Sequence, residues 1–352
     1  MQLNFGRLRR KTTDKQRVRR SVRRSPIAVI SRLILNLIML LVVLLTLVVY
    51  SPIDIATVEW FADNQMFRLG LFVISFILLF HYLTSKQRFF TFISTLVTLI
   101  LFIEIVRFAP LFGKAHNGHT SERVKVLTFN ARFFFPDYFL NMLKWNNIDI
   151  ACFQEIIPEY IPDTLFSYRR SKKGPYCGWH EPTDPNGDDG LLIVSRNPLE
   201  LVQKITCPSY RESLRWIYVF KTTVKDTTVH VIAVHLEPVD LTRGFNGARA
   251  SWNARMKQAK LVSKVARKIE GPVLIVGDFN STPTDRVSRV MKRGFKDAGR
   301  EAGDLLALTW HQDIPLFRID YILYRGFKTA ADPRIFRLGH SDHFVYSVEL
   351  YK

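Results

Sequence analysis

Residues 273–283 read Val-Leu-Ile-Val-Gly-Asp-Phe-Asn-Ser-Thr-Pro. The four apolar residues at the start predict a buried strand. Gly277 and the Thr-Pro pair indicate that the strand ends there. Asp278 and Asn280 therefore stand where a strand passes into a loop, with a carboxylate and an amide available for chemistry. Each residue alone is also an ordinary turn residue.

The same arrangement, a polar side chain at the end of an apolar run, recurs after residue 123. The residues that share it are Asn130, Glu155, His235, Asp278, Asn280, Asp320, Asp342 and His343. Turn chemistry explains any one of them. Eight such positions with these chemical types predict a site where loops converge on one edge of a sheet.

Strands outnumber helices in this part of the chain. The predicted strands cover residues 124–129, 148–153, 191–195, 216–222, 228–234, 273–276, 321–324 and 344–350. The predicted helices cover residues 136–146, 248–268 and 285–293. This composition predicts an α/β domain with two packed sheets and helices outside them.

The side chains at the strand ends suit phosphoester hydrolysis. Mg²⁺ prefers carboxylate and amide oxygens, which Glu155, Asn130 and Asp342 can supply, and Mn²⁺ is an alternative. The negative charge that gathers on a phosphoester under attack can be stabilised by the metal, His235 and Asn280.

Hydrolysis also needs a water that is oriented and deprotonated. Asp278 or His343 could do this. A carboxylate beside a histidine holds its tautomer and stabilises its cation, and Asp320 is the candidate to do so for His343.

Seven stretches, in this order, resemble the endonuclease/exonuclease/phosphatase family, which includes pancreatic-type DNases, abasic-site endonucleases, neutral sphingomyelinases and inositol-polyphosphate 5-phosphatases. They are Leu127-Thr-Phe-Asn130, Phe153-Gln-Glu155, Gly190-Leu-Leu-Ile-Val-Ser-Arg196, Val234-His-Leu236, Gly277-Asp-Phe-Asn280 with Thr282-Pro283, Arg318-Ile-Asp-Tyr321 and Ser341-Asp-His343. The resemblance implies a four-layer α/β sandwich of two mixed sheets flanked by helices. The long apolar runs near the N-terminus predict about three transmembrane helices before it.

The resemblance also implies roles for single residues. Glu155 is expected as principal metal ligand with Asn130 and Asp342 close by. Asp278 is expected to position the water, and Asn280 to contact the phosphate. The remaining expected catalytic residues are His343, paired with Asp320, and His235, which matches the DNase and sphingomyelinase branches rather than the abasic-site endonucleases.

Four further residues have weaker expectations. Asp189 is a candidate partner of His235, although it stands in a solvated-turn pattern. Arg255 and Gln258 match a helix pattern of the family and are expected to support structure. Arg215 could reach a phosphate, but a solvated arginine is the favoured interpretation.

Long apolar runs are confined to the chain before residue 110. A membrane span needs about 20 apolar residues, and the runs predict spans over residues 27–50, 67–84 and 89–109, of which the second is short enough to be interfacial. The full division is a basic tail (1–26), a membrane region (27–110), a linker (111–122) and a catalytic domain (123–352).

Charge predicts the orientation of these spans. The chain carries a net charge of +19, and residues 1–32 hold eleven Lys and Arg against Asp14. By the positive-inside rule the tail stays cytoplasmic. The loop after the first span contains acidic residues and is therefore expected outside. The loop after the second span contains Lys86 and Arg88 and is therefore expected inside. Three spans put the catalytic domain outside, in the periplasm of a bacterium. Two spans would leave it in the cytoplasm.

Some local features keep two interpretations open. The basic tail is foremost a topology signal, but it could also bind anionic lipid or nucleic acid. Glu104 and Arg107 could form an intramembrane pair or simply pair along the helix near the interface. Cys152 fits a core strand, and a Cys177–Cys207 disulfide requires an oxidising compartment.

The substrate stays open between nucleic acid, a phospholipid and a small phosphoester. The chain after residue 110 is itself basic, with 35 Lys and Arg against 26 Asp and Glu, and a tether favours membrane substrates. Residues 238–252 could grip bases or headgroups, or simply connect two elements. No protein partner is indicated. The alternative function is a non-catalytic, membrane-tethered binding module that retains the fold.

Overall fold

The computed structural model describes most of the chain. The described residues are 26–50, 65–108, 123–133, 139–157, 176–181, 190–210, 215–304, 307–311, 313 and 317–352. The residues outside them include the whole predicted linker (111–122) and the basic tail up to residue 25, as well as Asp189 and residues 211–214.

Three long helices precede an α/β domain. The helices are α1 (Pro26–Tyr50), α2 (Gln65–Ser85), α3 (Arg88–Phe108), α4 (Phe139–Trp145), α5 (Gly244–Lys268), α6 (Arg286–Met291) and α7 (Ala298–Glu301). The strands are β1 (Arg123–Asn130), β2 (Ile150–Gln154), β3 (Cys177–Glu181), β4 (Leu191–Ser195), β5 (Glu200–Cys207), β6 (Arg215–Val224), β7 (Thr227–His235), β8 (Val273–Asp278), β9 (Lys296–Asp297), β10 (Asp320–Arg325), β11 (Thr329–Phe336) and β12 (Val345–Tyr351).

The strands form two six-stranded mixed sheets. The first has the order β11-β12-β1-β2-β4-β3 and the second the order β5-β6-β7-β8-β10-β9. The pairs β1–β2 and β7–β8 are parallel, and the other described pairs are antiparallel. The parallel pairs are central, and nearly every residue of β1, β2 and β8 is buried, which is why these strands are rich in apolar residues.

Three apolar clusters divide the domain into four layers. One cluster lies between the sheets and joins Val126 and Ile193 of the first to Phe220 and Val276 of the second. The second packs α4 on the outer face of the first sheet, and the third packs α5 and α6 on the outer face of the second. The predicted four-layer α/β sandwich is confirmed.

All eight predicted strands exist, most with bounds within two residues. The sequence did not predict β3, β5, β9 or β11. β5 is an edge strand exposed along most of its length, and β11 is an edge strand that contains Pro333. Edge strands face water and carry polar residues and proline, so their apolar signal is weak.

The three N-terminal helices are each long and apolar enough to cross a membrane. They pack on one another through a cluster that includes Met39, Leu78 and Leu101. Ser94 Oγ donates to the Ser75 carbonyl of the neighbouring helix (2.9 Å). Such hydroxyl contacts are typical of helix association in lipid.

One local prediction needs correction, and another stays a prediction. Glu104 Oε2 lies 3.4 Å from Arg68 Nη1 of α2, and its pairing with Arg107 stays a prediction because the side chain of Arg107 lies outside the described residues. The Cys177–Cys207 disulfide is wrong: both are free thiols, on β3 and β5 of different sheets. Cys152 is buried between the sheets, as expected.

Candidate active site

Strand direction brings the predicted residues to one edge of both sheets. The parallel strands β1, β2, β7 and β8 end there, with Asn130, Glu155, His235 and Asp278 at or just beyond their last positions. The antiparallel strands β10 and β12 begin at the same edge. Asp320 is therefore directly opposite Asp278 in the β8–β10 register.

A cavity of about 500 Å³ opens at this edge. Its lining includes seven predicted site residues, namely Asn130, Glu155, Asp278, Asn280, Asp342 and His343 together with the supporting Arg255. Its other walls contain Arg132, Trp310 and several apolar side chains. Residues spread over more than 200 positions of sequence thus share one chamber.

Asp278, Asp320 and His343 form the buried centre of the site. Each offers a ligand atom, and these atoms lie within 4.8 Å of one another. His343 Nδ1 is 2.9 Å from Asp320 Oδ2, and Nε2 is 3.8 Å from Asp278 Oδ2. An Nδ1–H donated to Asp320 leaves Nε2 facing the Asp278 carboxylate.

Burial and charge set the protonation of this centre. Burial lowers the pKa of His343, but the Asp320 carboxylate outweighs it and raises the pKa to about 9. Burial, aided by the charge of Asp320, raises the pKa of Asp278. An imidazolium and a more basic carboxylate therefore stand side by side, the pattern of an acid–base pair.

Asn130 joins the two carboxylates at the front of the cavity. Its Nδ2 donates to Glu155 Oε1 (2.9 Å) and to Asp278 Oδ2 (3.2 Å). His235 Nε2 lies 3.7 Å from Glu155 Oε1 and 3.8 Å from Asp278 Oδ2. His235 also lines a small neighbouring pocket with Trp216, and it approaches Glu155 and Asp278 from that pocket.

Asp342 lines the cavity but is held differently from Glu155. Its Oδ2 accepts a hydrogen bond from Trp310 Nε1 (3.1 Å) and lies 3.4 Å from Arg132 Nη1. Trp310 and Arg132 were not predicted as site residues. Trp310 follows no predicted strand, and Arg132, although it comes three positions after the predicted strand 124–129, is a residue type that is ordinarily solvated in a loop.

Two more unpredicted residues position the centre. Thr309 Oγ1 accepts hydrogen bonds from the backbone N–H of Ile319 (3.1 Å) and of Asp320 (3.2 Å). Ser341 Oγ donates to the Asn130 carbonyl (2.6 Å) and accepts from His343 N–H (3.0 Å). Ser341 stands inside the Ser-Asp-His motif, so the motif itself was the signal for its role.

Left-handed backbone helps to aim two of the side chains. Glu155 has φ +54° and Asn280 has φ +48°. Such values are uncommon outside glycine and cluster at functional sites. Asn280 Nδ2 donates to the Leu236 carbonyl (2.9 Å), which uses one of its two amide hydrogens.

Behind the cavity, three predicted residues converge on Glu237. Arg255 Nη1 donates to the Glu237 carbonyl (3.0 Å), and Gln258 Oε1 accepts from Glu237 N–H (2.8 Å). Arg215 is buried and lies 3.3 Å from Glu237 Oε2, so its prediction as a solvated arginine is wrong. A guanidinium is buried here because a buried carboxylate partners it.

The interpretation of residues 238–252 as a single loop is also wrong. α5 begins at Gly244, four residues before its predicted start, and Trp252 is buried in the core of the second sheet. The predicted Asp189–His235 pair falls outside the described residues.

The donor set fits a hard divalent cation. Glu155 and Asp278 are carboxylates 2.9 and 3.2 Å from one amide nitrogen, and Asp320 Oδ1 is buried without a hydrogen-bond partner. Carboxylate oxygens gathered in one largely buried space suit Mg²⁺ better than a soft metal.

Comparison with known proteins identifies the family of the chain. The model of the Endonuclease/Exonuclease/phosphatase family matches residues 127–343, more than half of the chain. The chain belongs to this family. No curated protein sequence matches it.

Solved structures show the same fold for this family member. One is truncated Caenorhabditis elegans TDP2, with TM-score 0.50 and 16% identity, covering 65% of this chain and 98% of that one. Another is humanized D. rerio TDP2, with TM-score 0.51 and 16% identity, covering 66% of this chain and 100% of that one. Endonuclease/exonuclease/phosphatase membership supports a phosphoesterase, and a divalent metal as its cofactor.

Proposed function

We propose that this chain is a membrane-anchored, Mg²⁺-dependent phosphoesterase, active also with Mn²⁺, that hydrolyses a phosphodiester or phosphomonoester by attack of water. The convergence of carboxylate, amide and histidine groups on one cavity carries the proposal. Glu155, with Asn130 and Asp342 near it, would hold the metal, which supplies positive charge to the phosphoryl oxygens when bound.

The chain's own residues do the rest of the chemistry. Asp278 orients the attacking water and takes its proton, since it is buried and lies beside His343 Nε2. His343 donates from Nε2 to the leaving oxygen, and Asp320 holds its ring and charge. Asn280 contributes its second amide N–H to the phosphate, and His235 adds a donor from the side.

We also propose that the tail (1–26) is cytoplasmic, that α1, α2 and α3 cross the membrane within residues 27–110, and that residues 111–122 link them to a catalytic domain (123–352) outside. The lengths and hydropathy of the helices support the anchor. The distribution of Lys and Arg supports the orientation.

The first test removes the acid and the base. His343→Ala and Asp278→Ala should each lower kcat for bis(p-nitrophenyl) phosphate by about a thousandfold or more, because each removes a proton-transfer group. Circular dichroism should show an unchanged fold. His340→Ala, at an exposed position three residues away, is the matched control and should retain the rate. Near-normal rates in both site variants would refute the assignment.

The second test removes the metal. Excess chelator should abolish hydrolysis, and added Mg²⁺ or Mn²⁺ should restore it. Glu155→Gln should raise the metal concentration needed for half-maximal rate, because an amide binds Mg²⁺ less well than a carboxylate. A full rate in excess chelator would contradict metal dependence.

A further inference from the structure

A short segment beside the cavity exposes apolar side chains to solvent. In the described part of residues 123–352, six large hydrophobic side chains are more than about a third exposed. Three of the six lie within seven residues: Val239 (39%), Leu241 (59%) and Phe245 (62%). We call residues 239–245 the rim segment. Single exposed hydrophobics are normal, but a contiguous group marks a binding surface.

Hydrogen bonds to Asp240 hold the rim segment in place. Asp240 N–H donates to Ser251 Oγ (3.2 Å), and Asp240 Oδ1 accepts from the N–H (2.9 Å) and the Oγ1 (2.6 Å) of Thr242. The Tyr210 hydroxyl donates to Asp240 Oδ2. The apolar side chains are thus exposed on a braced turn.

The charge around the rim segment has one sign. Asp240 is the only acid in residues 239–250, and it is 3% exposed. Arg243 and Arg249 are both exposed. The solvent-facing side of this region therefore presents apolar groups and cations, which complements a bilayer that contains anionic headgroups.

The rim segment is part of the entrance to the catalytic cavity. Pro238, Val239 and Leu241 line that cavity, as do Trp310 and Phe317. A molecule that covers the rim segment therefore lies next to the catalytic cavity.

The short connection between the N-terminal helices and the C-terminal domain supports a bilayer as the partner of this surface. Residues 109–122, between α3 and β1, number fourteen, and an extended chain spans at most about 3.5 Å per residue, or roughly 50 Å here. If the helices cross the membrane, the domain cannot leave its surface. Nucleic acid is less suited to the segment, because only one of its three exposed apolar side chains, Phe245, offers a ring on which a base could stack.

We propose that the rim segment inserts into the bilayer surface and seats the catalytic cavity on it, so that the substrate is a membrane phospholipid. The choice of substrate rests on the proposed function; the insertion does not. Phe245, Leu241 and Val239 enter the headgroup–acyl boundary, and Arg243 with Arg249 contacts the phosphates. The phosphoester of a lipid then reaches the cavity without leaving the membrane.

Insertion is tested on the full chain in nanodiscs of phosphatidylcholine with or without phosphatidylglycerol. A spin label is placed at Phe245→Cys or, as control, at Leu201→Cys, an exposed apolar position on edge strand β5. Cys177, the one cysteine that is not buried, is replaced by Ser. We expect the label at 245 to collide with lipid-dissolved oxygen and the label at 201 with an aqueous nickel chelate. An aqueous label at 245 in both lipids would overturn the proposal.

Substrate class is tested with the matched pair Phe245→Asp and Leu201→Asp. Phe245→Asp should lower hydrolysis of nanodisc phospholipid by about tenfold or more, because a charge replaces a lipid-inserted ring. It should leave hydrolysis of soluble bis(p-nitrophenyl) phosphate unchanged, and Leu201→Asp should change neither. Equal effects of Phe245→Asp on both substrates would overturn the proposal.

The two failures are distinguishable. A lipid-exposed label at 245 in a chain that hydrolyses no phosphoester would uphold insertion and refute the proposed function. Cleavage of plasmid DNA or of soluble phosphoesters by a chain whose label stays aqueous would overturn the lipid proposal and leave the proposed function standing.

Discussion

At the scale of single residues, the chemistry of a side chain follows from what it faces. His343 and the exposed His311 each lie near an aspartate, at 2.9 Å from Asp320 and 3.8 Å from Asp313. Only the first pair is buried, and there the aspartate raises the pKa of the histidine to about 9. The close Asp320 carboxylate, acting against the effect of burial, therefore keeps an imidazolium in place.

Asp320→Asn should therefore lower kcat by about 10²- to 10⁴-fold, because the imidazolium loses its charged partner. Removal of that charge also lowers the pKa of His343, so the fall in rate at high pH should begin at a lower pH than the value near 9 expected for the native chain. The measurement is kcat against pH. Asp313→Asn is the control and should leave the profile unchanged. An unaltered profile in Asp320→Asn would show that Asp320 does not act through His343.

At the scale of elements, the site depends on the close approach of β7 and β8. Gly277 has φ +144°, and a Cβ there would lie 1.9 Å from the Val234 carbonyl oxygen. Asp278, the next residue, pairs with His235 in the same register. Glycine at 277 lets the two strands meet while their ends present both site residues.

Gly277→Ala should destabilise the domain by about 3 kcal/mol or more, from backbone strain and a clash with main-chain atoms. Gly271→Ala is the matched control on the other end of β8, where φ is +78° but no atom lies within 4 Å. It should cost only about 1–2 kcal/mol. Urea unfolding of the full chain in micelles, followed by fluorescence, measures both. Equal losses of unfolding free energy in the two variants would mean that the close approach to Val234 does not contribute to the destabilisation.

The elements also show where pattern reading loses information. The buried strands β4 and β8 were predicted closely because their apolar runs, Leu191–Val194 and Val273–Val276, are unbroken. The start of α5 was predicted late, because Gly244 and Gly247 precede its apolar stripe and glycine is a poor helix former. Here tertiary packing overrides propensity, since Gly247 and Ala248 are buried in the helix.

At the scale of the whole molecule, the number of N-terminal helices that cross a membrane would determine the compartment of the C-terminal domain. In a bacterial host, we expect alkaline phosphatase fused after residue 352 to be active and green fluorescent protein at the same place to be dark, because an odd number of spans puts the domain outside. Fusions after residue 87, between α2 and α3, are the control and should give the opposite signals. Fluorescence at both places would mean that one helix does not cross.

The family motifs, and with them the fold class and most residues of the candidate site, were readable from the sequence alone. An apolar run that ends in Asp278 or Glu155 is a local pattern, and parallel strands necessarily end at the same edge. The sequence could not predict Trp310, Arg132 and Thr309, because they lie on connections without a periodic signal.

Only the tertiary structure decided which charges are paired and which surfaces are covered. It buried Arg215 against Glu237, paired Glu104 with Arg68, and left Val239, Leu241 and Phe245 exposed beside the cavity. The physical reason is that burial and pairing depend on neighbours distant in sequence. A side chain's type and local period determine its strand or helix, whereas its environment exists only after the layers have packed.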